Sequence, residues 1–276
     1  MPVNRRTRAA RATSAPLLTL AFALLYALVF APEAEAAGQL KVHCGIYATN
    51  HEDAIAGATH AHDQFGNRSH RSESTAQSLF ASTANSCEED WFTSARWYPD
   101  ERGISTVAVG IYYRAPGDQR GIRPIPKGLQ LLAQDQAYNC NGAIDRDGGF
   151  ESMPPYGCKG RWSTRVIFPD CWNQKSLEEQ VNGVPTTVNS RSGVCPASHP
   201  YRIPKINFLI QHTDPVPNQL MVSAGLEEWH PFDFMHGDYF AANQPEFNDE
   251  LLDLCLRDVS DSTPLTRLHD RCGANA

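Results

Sequence analysis

The sequence predicts a mainly β fold: a β-sandwich-like or mixed β-rich single domain with long disulfide-pinned loops and a C-terminal helix. Three observations predict it. Short β-branched and aromatic segments recur between Pro- and Gly-rich loops, eight cysteines are spread over residues 44–272, and the best helical periodicity lies near the end of the chain.

The strand segments are 105–113 (STVAVGIYY), 129–133, 164–169, 206–211 and 220–224, each short and bounded by Pro, Gly or polar turns. Polar stretches at 113–128 and 139–160 read as loops. Near the end, Phe247, Leu251, Leu254 and Cys255 share one helical face, and Pro245 suits a first turn. A shorter helix is expected over 74–82. No internal repeat, low-complexity tract or linker divides the chain.

The first 36 residues read as a secretory signal peptide. Arg5, Arg6, Arg8 and Arg11 form a positive start, 17–30 is apolar, and Ala34-Glu35-Ala36 offers small residues for cleavage. The apolar stretch falls short of the roughly 18 residues of a spanning helix. The expectation is therefore a leader over 1–36 and a single secreted domain over 37–276, extracellular, monomeric and off the membrane once the leader is removed.

Charge narrows the partners. The leader carries four Arg against two Glu, a net of +2, so its removal takes the formal charge from −7 to −9. An acidic surface is a poor match for nucleic acid or anionic lipid.

All eight cysteines follow the leader, and an even count in an exported chain reads as a disulfide framework. No C-x-x-C pair suggests thiolate metal binding. Closing the shortest loops pairs Cys140 with Cys158 and Cys171 with Cys195. With the thiols so engaged, cysteine catalysis is disfavoured. The chain also lacks a G-x-S-x-G elbow, a phosphate-binding loop and a dinucleotide fingerprint, so any chemistry must rest on His and carboxylate groups.

Two distant segments carry such groups. Thr59-His60-Ala61-His62-Asp63 and Met235-His236-Gly237-Asp238-Tyr239 each hold ligand-grade side chains at i and i+2, which an extended strand turns to one face. His60, His62, His236 and Asp238, with His199 as a fifth candidate, form a set suited to a Zn-like divalent metal, whose open position would activate water. Without metal, Asp238 or Asp63 paired with His62 or His236 makes a proton-transfer couple, so Asp238, His62 and His236 are the catalytic candidates. Glycoside hydrolysis by paired carboxylates would draw on Asp63, Asp170, Asp233 and Asp238. The bland alternatives are that His199 and Asp170 merely brace loops and that the large aromatics serve the core. Asp145-Arg146-Asp147-Gly148 reads as a turn rather than a calcium loop, because its glycine comes too early. Asn67-Arg68-Ser69 is a glycosylation sequon.

Several blocks together resemble a known family. They are His60-Ala61-His62-Asp63-Gln64-Phe65-Gly66-Asn67, Phe168-Pro169-Asp170-Cys171-Trp172, Cys195-Pro196-Ala197-Ser198-His199-Pro200 and His236-Gly237-Asp238-Tyr239-Phe240. Their order and spacing are similar to the secreted domain-of-unknown-function family numbered nineteen ninety-six, from about Cys44 to Cys255. The resemblance implies an exported protein, in some cases accompanied by carbohydrate-binding modules, and no settled activity. One departure stands out: after Trp172 the family has histidines that the segment 177–189 (LEEQVNGVPTTVN) lacks. Glu178 or Glu179 could supply oxygen ligands in their place, though nothing in the sequence requires it. Two readings follow: a secreted, glycan-associated hydrolase with a His/Asp site, or a non-catalytic domain that binds cell-wall or other polysaccharide.

Overall fold

The computed structural model describes residues 39–50, 61–88, 92–99, 106–115, 121–133, 135–140, 161–213, 236–242, 249–257 and 272. The leader, the 220–224 strand and the 145–151 turn expected from the sequence lie outside them. In chain order the described elements begin with β1 Gln39–Cys44, β2 Ile46–Asn50, β3 His62–Gly66, helix α1 Ala76–Ala81, β4 Ala95–Pro99 and β5 Thr106–Arg114. They continue with β6 Gln130–Ala133, β7 Asp135–Cys140, β8 Trp162–Ile167, β9 Cys171–Trp172, β10 Gln180–Val181 and β11 Val184–Pro185. Last come β12 Thr187–Val188, β13 Tyr201–Arg202, β14 Lys205–His212, β15 Gly237–Phe240 and helix α2 Asp249–Leu252, which runs on into a π-helical turn, Asp253–Arg257.

Two five-stranded antiparallel sheets carry the fold. The first has the order β1-β5-β14-β8-β7 and the second β2-β3-β4-β15-β6. Two-residue alternation decides which face of each is apolar. Leu40 and Val42 of β1, Val109 and Ile111 of β5, and Ile206, Phe208 and Ile210 of β14 are buried on the first sheet. Phe65 of β3, Tyr98 of β4, Leu131 of β6 and Tyr239 of β15 are buried on the second. These faces meet: the Phe208 ring lies 4.9 Å from Phe65 and 4.5 Å from Phe168, and the Tyr113 and Tyr239 hydroxyls are 3.3 Å apart. The result is a sandwich, as aligned sheets with apolar inner faces require. Burial raises the Tyr113 phenol well above its ordinary value, with the neighbouring Tyr239 adding to the effect.

A buried cation sits among the aromatic rings. The Arg96 guanidinium lies 3.7 Å over the Phe92 ring and 4.9 Å over Tyr239, and donates to the Ser94 carbonyl at 2.6 Å and the Tyr113 hydroxyl at 3.2 Å. Ring quadrupoles and hydrogen bonds offset the cost of its desolvation.

A three-stranded sheet, β12-β9-β13, and the hairpin β10–β11 form a smaller layer. Asn182 and Gly183 turn the hairpin with φ of 52° and 75°, the left-handed pair that a two-residue hairpin loop needs. Asp170 anchors this layer by accepting hydrogen bonds from the Ser190 backbone at 2.7 Å and its hydroxyl at 2.6 Å. It braces this loop.

The expected strands are β5, β6, β8 and β14, and the expected mid-chain helix is α1, capped by Thr75. Of the expected C-terminal helix, Pro245 and Phe247 lie outside the described residues; α2 runs from Asp249 to Leu252 into the π turn, whose Cys255 and Leu256 are buried. Cys255 is bonded to Cys272, Cys44 to Cys87, and Cys171 to Cys195 as short-loop closure predicts. Cys140 is also disulfide-bonded, and its expected partner Cys158 lies outside the described residues.

Candidate functional site

The second sheet has an outer face as well, and its two ends differ. At one end Leu79 of α1 covers Ala95, Trp97, Phe240 and Ala242, forming a small second core. Asn67 fixes this cover: its buried amide donates to the Leu79 carbonyl at 2.8 Å and the Thr93 carbonyl at 2.7 Å. Both amide hydrogens are thus engaged inside the protein, so the sequon does not present an acceptor for a glycan.

The other end of the same face is polar. β4 lies between β3 and β15, with Gln64 opposite Trp97 and Trp97 opposite Asp238. One row further along, His62 stands opposite Pro99. The small cyclic side chain of Pro99 leaves the space above β4 to imidazoles reaching in from either side. His236, two residues before Asp238, projects to that face by strand alternation.

The three side chains converge. His62 Nε2 lies 3.2 Å from His236 Nε2, and His236 Nε2 lies 3.2 Å from Asp238 Oδ2. The rings meet edge to face, with centroids 5.3 Å apart and planes at 74°. One ligand atom from each of His62, His236 and Asp238 falls within a common 4.8 Å. His62 is fully buried, while the side chains of His236 and Asp238 are 19% and 4% exposed. The centre therefore meets solvent on the His236 side.

This arrangement asks much of one atom. A neutral imidazole nitrogen is either a donor or an acceptor, yet His236 Nε2 faces both another Nε2 and a carboxylate oxygen. A divalent ion would use all three groups as lone-pair donors. With bonds of about 2.0–2.2 Å, tetrahedral ligand atoms stand about 3.3–3.6 Å apart, close to the two spacings here. Three protein ligands would leave a fourth position for water.

The other residues singled out in the sequence go elsewhere. His60 lies outside the described residues. His199 is absent from the converging group: its Nδ1 is 3.0 Å from the Ser198 hydroxyl and its Nε2 3.3 Å from the Pro185 carbonyl. It braces the β10–β11 hairpin. Asp63, adjacent to His62, turns to the inner face and accepts from the Thr49 hydroxyl at 2.5 Å and Tyr98 at 3.1 Å. Glu178 is exposed and Glu179 is buried, and neither belongs to the three-ligand group. Trp97, Trp162, Tyr112 and Tyr113 are buried in the fold, and Trp172 packs edge to face on Tyr201, 5.3 Å away.

Sequence reasoning missed His70. Its ring stacks on Trp97 at 4.5 Å and 17°, and it is buried, roofing the row that contains Gln64 and Asp238. The Ala95-Arg96-Trp97-Tyr98-Pro99 alternation was the available signal for the face beneath it, but nothing local marks the partner ring.

Comparison with protein families agrees with the sequence blocks. The model of the family described as Domain of unknown function (DUF1996) matches residues 52–242. The chain belongs to this family. No curated protein and no solved structure matches it. Three disulfides among the described residues fit an oxidising, extracellular compartment, and no described helix is long and apolar enough to cross a membrane.

Proposed function

We propose that this protein is an exported, metal-dependent hydrolase acting on an extracellular glycan, with His62, His236 and Asp238 holding a Zn-like divalent ion. The observation that carries the reading is the convergence of two imidazole nitrogens and one carboxylate oxygen at the accessible end of a sheet face. Those ligands suit a borderline-soft ion, and an ion with an open position lowers the pKa of bound water towards about 7, generating the nucleophile. The disulfides fit an oxidising, extracellular compartment, where such a polymer would be met. The resemblance noted in the sequence, with its accompanying carbohydrate-binding modules, supports the choice of glycan.

A second reading has its own observation. His62 and Asp238 are almost wholly buried, as the ligands of a structural centre would be. On that reading the ion ties β3 to β15 in a non-catalytic glycan-binding domain.

Metal analysis and a polysaccharide panel decide between them. Protein purified without added metal is expected to carry about one ion per chain, lost in a folded His62→Ala, His236→Ala double variant. New reducing ends that stop on chelation and return with metal support the hydrolase. Binding without new reducing ends selects the second reading, and an empty centre with neither activity sinks both.

A further inference from the structure

A cavity of about 210 Å³ opens beside the candidate centre, lined among others by Leu132, Asp135, Ile167, Glu179, Pro185 and Asn189. Leu132 joins the two. In the β6–β15 register it stands directly opposite Asp238, and its inward-facing neighbours Leu131 and Ala133 place it on the same outer face. Side chains so paired are within about 5.5 Å of each other at Cβ. The cavity thus begins one strand away from the metal ligands, at the corner where the chain passes from β6 in one sheet to β7 in the other.

Its walls are firmly built. The Gln130 backbone donates to the Leu177 carbonyl at 2.7 Å, fastening segment 177–189 along β6. Thr186 donates through its backbone to the Glu179 carbonyl at 2.9 Å, and its hydroxyl bonds the carbonyls of Glu178 and Glu179. Asn189 donates to Asp135 at 2.5 Å, and His199 steadies Pro185 from outside. Glu179 is 6% exposed, so its carboxylate is held within the wall rather than in bulk water.

The lining has a definite chemistry. Two carboxylates, the amides of Gln180 and Asn189 and the Thr187 hydroxyl offer hydrogen bonds to hydroxyl groups, while Leu132, Ile167 and Pro185 offer apolar contact. Two negative charges repel an anion. A ring that carries hydroxyls on its edge, C–H groups on its face and no negative charge satisfies all three conditions.

We propose that this cavity is a subsite for one neutral sugar ring, with Glu179 and Asp135 accepting from its hydroxyls and Leu132 directing the adjoining linkage towards His236 and Asp238. The assignment rests on the glycan reading above and adds the place and polarity of recognition. It also gives segment 177–189 a role: it shapes the pocket for the sugar and contributes no ligand to the centre.

Isothermal titration with cello-, xylo- and chitotetraose, and with tetragalacturonate as the anionic probe, tests it on the intact protein. At least one neutral tetraose is expected to bind. Glu179→Gln should weaken that binding about ten- to hundred-fold, the effect of losing a charge-assisted hydrogen bond, with metal content unchanged. Asp135→Asn, at an exposed position, should act in the same direction and keeps the test valid should the Glu179 variant fail to fold. A neutral tetraose bound equally by the wild type and by every folded variant overturns the subsite and leaves the glycan reading standing. Preference for tetragalacturonate overturns the proposed polarity. Wild-type protein that binds none of the neutral tetraoses overturns subsite and glycan reading together, while metal analysis still reports on the centre.

Discussion

Gly237 separates His236, just before β15, from Asp238 within it, and faces the opposite way. A Cβ built there would lie 2.7 Å from Val166 Cγ1 and 3.0 Å from Phe168 Cζ, inside the sandwich core. The absence of a side chain lets β15 approach the first sheet closely enough to seat His236 and Asp238 at their present height. Gly237→Ala should therefore cost about 1–3 kcal/mol, as overpacking does, and lower metal occupancy although no ligand is removed. Urea denaturation and metal analysis of the same preparation check this; unchanged values in both would refute the argument. Asp63 teaches the complementary point. One residue from His62, it belongs to another environment, because a strand sends neighbours to opposite faces.

At the scale of elements, strand order makes the site. β3 and β15 do not pair with one another; β4 stands between them, and Pro99 leaves the gap that His62 and His236 bridge. The sandwich core lies beneath, and Phe208 of β14 is one of its inter-sheet contacts, touching Phe65 behind the site and Phe168. Phe208→Ala should destabilise by about 3–5 kcal/mol, the usual cost of an emptied aromatic site. Thermal and chemical denaturation measure it. A loss below about 1 kcal/mol would mean that the sheets are not coupled through this ring.

The whole molecule depends on covalent closure as well as burial. The three described disulfides close separations of 43, 24 and 17 residues. Chain-entropy reasoning gives each about 3–4 kcal/mol, comparable in sum with the stability of an ordinary domain. Reduction under non-denaturing conditions should move the urea midpoint sharply down or abolish cooperative unfolding, read by circular dichroism with and without reductant. An unmoved midpoint would show that the core alone suffices. Cys171–Cys195 spans the segment that lines the cavity.

By itself the sequence determined the β class, the cysteine framework and the Cys171–Cys195 closure, and it offered His62, His236 and Asp238 among five candidate ligands. These are legible because they depend on local rules: period-two alternation, short-loop closure, and the i, i+2 geometry that sets His236 and Asp238 on one face. Only the tertiary structure decided that His62 meets His236 across 174 residues of chain, that His199 braces a hairpin instead, and that His70 roofs Trp97. It also decided that segment 177–189 walls a cavity and stays out of the converging His62–His236–Asp238 group. The physical reason is that strand order and the choice of covering segment are settled by long-range burial, to which each local stretch contributes one face and no record of its partner.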